Sequence, residues 1–170
     1  MVAILEAQPQ PGTLVQVQGV GILLLGASGM GKSETALALL HEGHSLVADD
    51  LVCYSRQANA LIGSAPAALR GKLHIRDLGV LEVANLFGAQ AICPQCNIDL
   101  VVKLYLGASG TEENLTLPNQ TSLPILQRPV PMFRIQHALQ RPISLLLMTL
   151  VKQVQSLQQT EEMMAGKLAS

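Results

Sequence analysis

Leu23-Leu24-Leu25-Gly26-Ala27-Ser28-Gly29-Met30-Gly31-Lys32-Ser33-Glu34 runs a short apolar strand directly into the pattern G-x-x-x-x-G-K-S. Glycines at 26, 29 and 31 let the backbone wrap closely around an anion with its amide N–H groups pointing inward. Lys32 supplies a point charge for the β- and γ-phosphates of a nucleotide, and the Ser33 hydroxyl suits Mg²⁺. The helix expected from Lys32 aims the positive end of its dipole at the same anion. The pattern carries this meaning only between a strand and a helix, and both flanks are present. We therefore read Gly26, Ala27, Ser28, Gly29, Met30, Gly31, Lys32 and Ser33 as a nucleotide-phosphate loop.

Upstream, residues 13–18 alternate as a strand, and Gly19-Val20-Gly21 turns the chain into the strand 22–25, a hairpin feeding the loop. Downstream, residues 32–42 carry Ala36, Leu37, Leu39 and Leu40 at helical spacing and stop at Gly43. Residues 45–48 read as a short buried strand ending in Asp49-Asp50, with 51–55 continuing it, and 58–62 as a further strand. A turn or short helix is expected over 65–69, strands over 73–75 and 80–83, and a turn or short helix over 83–87. Residues 98–106 form the second strong strand. Residues 107–122 read as a polar surface loop. The stretch 124–136 alternates but contains three prolines, which suits an edge strand. A long helix follows Arg141-Pro142, apolar all round over 145–154, and the polar tail from Gln155 is expected to fray.

With 170 residues, 49% apolar and 14% charged, the chain is long enough for one domain with a full core and is not disordered. A net charge of −1 and two Phe, two Tyr and no Trp leave neither an electrostatic footprint nor stacking platforms for nucleic acid. The apolar runs at 20–25 and 143–151 fall short of a membrane span, and the first residues lack the basic and apolar parts of a signal peptide. Three cysteines, an odd number, beside a nucleotide motif point to a reducing cytoplasm.

Phosphoryl transfer needs phosphate positioning, a metal, and a group that orients the nucleophile. Asp49 and Asp50 stand at the carboxyl end of the strand after the loop helix, where open α/β sheets place their sites. Two adjacent acids on an extended chain point to opposite sides, so one can face metal and substrate while the other bonds elsewhere.

The order of motifs then becomes specific. After residues 21–34 come Gly43-His44-Ser45-Leu46-Val47-Ala48-Asp49-Asp50, Leu61-Ile62-Gly63-Ser64-Ala65-Pro66 and Leu73-His74-Ile75-Arg76-Asp77-Leu78-Gly79-Val80. This series resembles the catalytic domain of bacterial HPr kinase/phosphorylase, especially the short forms without the N-terminal domain. The likeness is strongest over residues 12–87, thinner over 98–104 and weak beyond Pro124. It implies an α/β P-loop nucleotide-binding domain of the HPr kinase and phosphoenolpyruvate carboxykinase type, a mixed sheet with flanking helices. That domain would span 1–155, with 156–170 as a C-terminal tail. The resemblance further implies ATP and Mg²⁺ as cofactors, a serine of an HPr-like phosphocarrier protein as acceptor, and reversal by phosphorolysis. No nucleic acid or membrane partner is expected, and by resemblance the assembly is a hexamer. By position, Asp49 would take the serine proton and return it in reverse, Arg76 would pair electrostatically with the transferred phosphate, and Ser33 and Asp50 would hold the metal.

Three positions depart from the family pattern. Pro11 stands where the family has a histidine before the glycine, so a phosphate-contacting imidazole is missing. His74 stands where the family has a glutamate near the metal; Mg²⁺ prefers oxygen, and Asp77 is a conceivable substitute. Arg141-Pro142-Ile143-Ser144 keeps only the first two residues of an Arg-Pro-Gly-Arg-Asn run. Pro11 and His74 motivate a second reading, a catalytically impaired ATP-binding regulatory or interaction protein. A third is a kinase of a small molecule. Cys93-Pro94-Gln95-Cys96 with His41 and His44 has metal-ligand spacing on paper, but reads more simply as reduced, partly buried cysteines and a helix-end histidine. Glu34 suits either the first turn of a helix or the site.

Overall fold

The apolar run before the glycines lies at the centre of a mixed sheet, in a computed structural model that describes residues 5–107, 121–137 and 141–168. In chain order the elements are β1 (Leu5–Pro11), β2 (Thr13–Val17), β3 (Val20–Leu25), α1 (Lys32–His41), β4 (Ser45–Ala48), β5 (Leu51–Gln57) and β6 (Ala60–Ser64). After them come β7 (Lys72–Ile75), β8 (Gly79–Glu82), α2 (Val83–Phe87), β9 (Gln95–Asn97) and β10 (Leu100–Tyr105). The last are β11 (Thr121–Ile125), β12 (Arg128–Gln136) and α3 (Ile143–Leu168). Single 3₁₀ turns occupy Ala67–Leu69 and Ala89–Ala91.

Six strands form the main sheet in the order β11-β12-β10-β3-β2-β4. β3 and β12 run parallel to β10, and the other pairings are antiparallel. A second sheet, β1-β5-β6-β9, is antiparallel throughout, and β7-β8 is a separate hairpin. The central strands are mostly apolar because both their faces are largely buried, with Lys103 the exposed exception on β10. Val15, Ile22, Leu24, Val102 and Leu104 pack on one side against Leu39 and Leu40 of α1 and Leu147 and Val151 of α3. Leu14, Leu23 and Val101 face the other way, onto Val52, Tyr54, Leu61 and Cys96 of the second sheet. The result is a helix layer, a mixed sheet and an antiparallel sheet.

Several elements differ from the sequence expectations. Residues 51–55 do not continue β4: the chain turns at Asp49-Asp50 and enters the second sheet as β5. Asp50 makes the turn with φ +69, a left-handed conformation that aspartate tolerates better than most residues. β1, not anticipated, makes the same crossing in reverse through Pro11 and Gly12. The two crossings are tied side by side, with the Gly12 N–H donating to the Asp50 carbonyl at 3.0 Å. The stretch 124–136 is a hairpin, and its long strand β12 is internal rather than an edge. Its prolines are tolerated because pairing with β10 begins at Met132, beyond Pro129 and Pro131. The helix after Pro142 continues to Leu168, so the polar stretch after Gln155 is helical over its described part. It is also not buried all round, since Ile143, Leu147, Leu150 and Val151 make one buried stripe while Leu145 is exposed. Of the polar loop, residues 108–120 lie outside the described residues. None of the described helices is long and apolar enough to cross a membrane.

The inner layer sets a pH limit. Burial pushes the Tyr54 hydroxyl and the Cys96 thiol up to about 12. Both are neutral when protonated, and the folded values lie above the unfolded ones of 10.0 and 9.0. Their contribution to stability is therefore complete below about pH 9 and lost as pH rises toward 12. Urea unfolding between pH 8 and 11 is expected to show a falling midpoint, with a shallower fall in Tyr54→Phe. Iodoacetamide at pH 8 should leave Cys96 unlabelled until the chain unfolds.

Candidate active site

The phosphate loop grows out of β3 and ends at the first turn of α1. Gly29 and Gly31 adopt φ +82 and +75, conformations that only glycine holds without strain. Gly26 is a close approach: a Cβ there would stand 3.0 Å from the Leu104 carbonyl oxygen. Gly31 is the N-cap of α1 and offers no side-chain cap, so no side chain competes for the first-turn amides that an anion would meet. The Lys32 ammonium folds over the loop and donates to the carbonyls of Gly26 (2.8 Å) and Ala27 (3.1 Å). Met30 turns its side chain into the core, so only its backbone can face a ligand.

Asp49 is buried at the end of β4 and gathers three elements. Its carboxylate accepts the Thr13 hydroxyl at 2.8 Å, the Ser33 hydroxyl at 3.0 Å on each oxygen, and the His74 backbone N–H at 3.1 Å. β2, the start of α1 and β7 are thereby pinned to one acid. Asp50 is exposed at the rim, turned there by its left-handed backbone rather than by the alternation of an extended strand. Around them opens a cleft of about 360 Å³, lined by Lys32, Ser33, Glu34, Asp49, Asp50, His74 and Arg76 together with Pro11, Gly12 and Thr13. A methyl placed on Gly29 would stand 3.8 Å from an Arg76 guanidinium nitrogen, so this exposed arginine reaches over the loop from β7.

The structure thus brings Asp49, Asp50, Arg76, Lys32, Ser33 and the loop glycines to one cleft, and adds Thr13, Glu34 and His74. Asp77 does not line it and occupies the exposed turn between β7 and β8. Pro11 and the exposed His74 line the walls of the cleft. Arg141-Pro142 lies exposed before α3. Cys93 and Cys96 do not join His41 and His44: His41 packs edge-on against Phe87, and no group of three metal-ligating side chains occurs among the described residues. The sequence did not mark His137, whose Nε2 would stand 3.7 Å from a methyl on Gly31.

The donor set fits Mg²⁺ and a phosphate chain. Ser33 and Asp49 offer hard oxygens in contact with each other, and the uncapped amides, Lys32 and Arg76 offer positive charge facing them.

Comparison with known proteins identifies the family. Residues 4–167 match the family described as HPr Serine kinase C-terminal domain. The chain is 49% identical over 102 residues to the HPr kinase/phosphorylase of Levilactobacillus brevis, covering 59% of this chain and 33% of that protein. It is 39% identical over 144 residues to that of Lacticaseibacillus casei, covering 84% of this chain and 45% of the relative. The chain therefore spans a third to a half of the length of these relatives. The solved structure of the HPr(Ser) kinase/phosphatase from Coxiella burnetii superposes with a TM-score of 0.83 at 29% identity, over 92% of this chain and 95% of that one.

Removing the shared acceptor orphans three donors at once. Asp49→Ala is expected to lower unfolding free energy by about 2–4 kcal/mol, against about 1 kcal/mol for Thr13→Val, which removes one donor only. Denaturant unfolding of the two variants checks the ordering.

Proposed function

The chain belongs to the family of HPr serine kinase C-terminal domains, and from that premise we propose that it transfers the γ-phosphoryl group of ATP to a serine of a small HPr-like phosphocarrier protein. The observation that carries the reading is Asp49, a buried carboxylate bonded to the phosphate-loop serine and flanked by Lys32 and Arg76 across one cleft. Ser33 and Asp50 are the residues that would hold Mg²⁺, with Asp49, bonded to Ser33, beside the ion to handle the proton. When bound, the ion neutralises charge on the β- and γ-phosphates.

The loop amides and Lys32 hold the phosphate chain. Arg76, whose guanidinium reaches over Gly29, would pair electrostatically with the group in transfer. Asp49 accepts the proton of the acceptor hydroxyl as the serine oxygen bonds to the γ-phosphorus and the bond to ADP breaks. In the reverse direction inorganic phosphate takes the phosphoryl group from phosphoserine, pyrophosphate leaves, and Asp49 returns the proton to the serine oxygen. Following the family resemblance, we read the compartment as the cytoplasm and the assembly as a hexamer.

Incubation with Mg-ATP and the HPr of the same organism should yield phosphoserine detectable by mass spectrometry. Asp49→Asn is expected to lower transfer by about 10²–10⁴-fold while ATP affinity stays within about tenfold. Lys32→Ala should lose both. ATP binding by the unaltered chain without any transfer would replace this reading with that of a regulatory ATP-binding protein. Absence of ATP binding would overturn both.

A further inference from the structure

We propose that His137 contacts the nucleoside half of the bound nucleotide, forming a wall of the site on the opposite side of the phosphate loop from Asp49. The inference rests on reading residues 26–33 as an ATP-phosphate loop and specifies where the rest of the nucleotide lies.

The argument begins with sheet order. Asp49 leaves β4, two strands to one side of β3, whereas β10 and β12 lie on the other side. Terminal phosphates seated at Lys32 and Ser33 meet Asp49, Thr13 and His74 toward β2 and β4, the side from which the acceptor hydroxyl approaches Asp49, and the leaving nucleotide lies in line on the far side of the γ-phosphorus. The nucleoside must leave over the opposite flank, across the carboxyl ends of β10 and β12, where open α/β sheets form their crevices.

His137 stands at that exit. It follows the last residue of β12, and its backbone N–H donates to the Tyr105 carbonyl at 2.8 Å, which fixes the chain against the end of β10. Its Nε2 would stand 3.7 Å from a Cβ on Gly31, and among the described residues no other side chain comes within 4 Å of that position. Gly31 is thus bare on the His137 side just as Gly29 is bare on the Arg76 side, and the two groups bracket the loop. His137 does not line the Asp49 cleft. Beside it the Gln136 side-chain amide lies against Gly107 at the ends of β10 and β12. An imidazole there can donate or accept a hydrogen bond and can present a ring face to a base. In a chain with two Phe, two Tyr and no Trp, few other rings are on offer.

Calorimetric titration with Mg-ATP and with Mg²⁺ plus inorganic tripolyphosphate separates the two halves of the site. His137→Ala is expected to weaken ATP about 5–20-fold while tripolyphosphate changes by less than about twofold. His137→Gln, which keeps a polar tip, should show the same contrast with a smaller loss. Because tripolyphosphate binding reports a folded loop, a misfolded variant cannot imitate this result. Equal losses for both ligands in both variants, or no loss for either ligand, would overturn the assignment of His137 and leave the phosphate loop standing. Failure of the unaltered chain to bind either ligand would instead overturn the loop reading itself.

Discussion

The Asp49 carboxylate accepts hydrogen bonds from Thr13 on β2, Ser33 at the start of α1 and the backbone of His74 on β7. The cleft takes its shape from those bonds. A buried carboxylate is stable only when its lone pairs are satisfied, and these donors satisfy them. The same bonds set the distance between the phosphate loop and the β7-β8 hairpin, and so decide that Arg76 hangs over Gly29. Structure and chemistry draw on one group here, because the acid that holds three elements together is the one placed to move a proton.

The rest of the fold delivers that acid to its position. Leu14, Leu23 and Val101 face one way and Val15, Leu24 and Val102 the other, so the central strands are clamped between helices and a second sheet. Near one edge of this arrangement the chain crosses between sheets twice, at Pro11-Gly12 and at Asp49-Asp50, and the Gly12 N–H ties the crossings together. The corner is polar and open while its surroundings are close-packed. A rigid scaffold with one polar corner is what electrostatic positioning of a phosphate chain requires.

The loop and its helix were legible in the sequence because their signals are local: glycine spacing, a lysine and a serine at fixed offsets, and helical periodicity up to Gly43. The pair Asp49-Asp50 was legible as a strand end, but not as a change of sheet. The left-handed turn there is made by aspartate rather than glycine, so it left no breaker signal. β1 was hidden by Pro9 and Pro11; its register shifts between Ala7 and Gln10, so Pro9 falls where the ladder is already broken. The internal place of β12 was missed because its prolines suggested an edge, whereas they fall on the half not paired with β10. The bonds from Thr13 and His74 to Asp49 and the approach of His137 to Gly31 join residues far apart in the chain, and no local pattern encodes them.

A crystal structure with Mg²⁺ and a non-hydrolysable ATP analogue tests the central claim most directly. The account predicts the β- and γ-phosphates inside residues 26–33, the metal on the Ser33 hydroxyl with Asp49 beside it, and Arg76 at the terminal phosphate. A nucleotide bound elsewhere, or phosphates in the loop with Asp49 turned away from both metal and terminal phosphate, would contradict it.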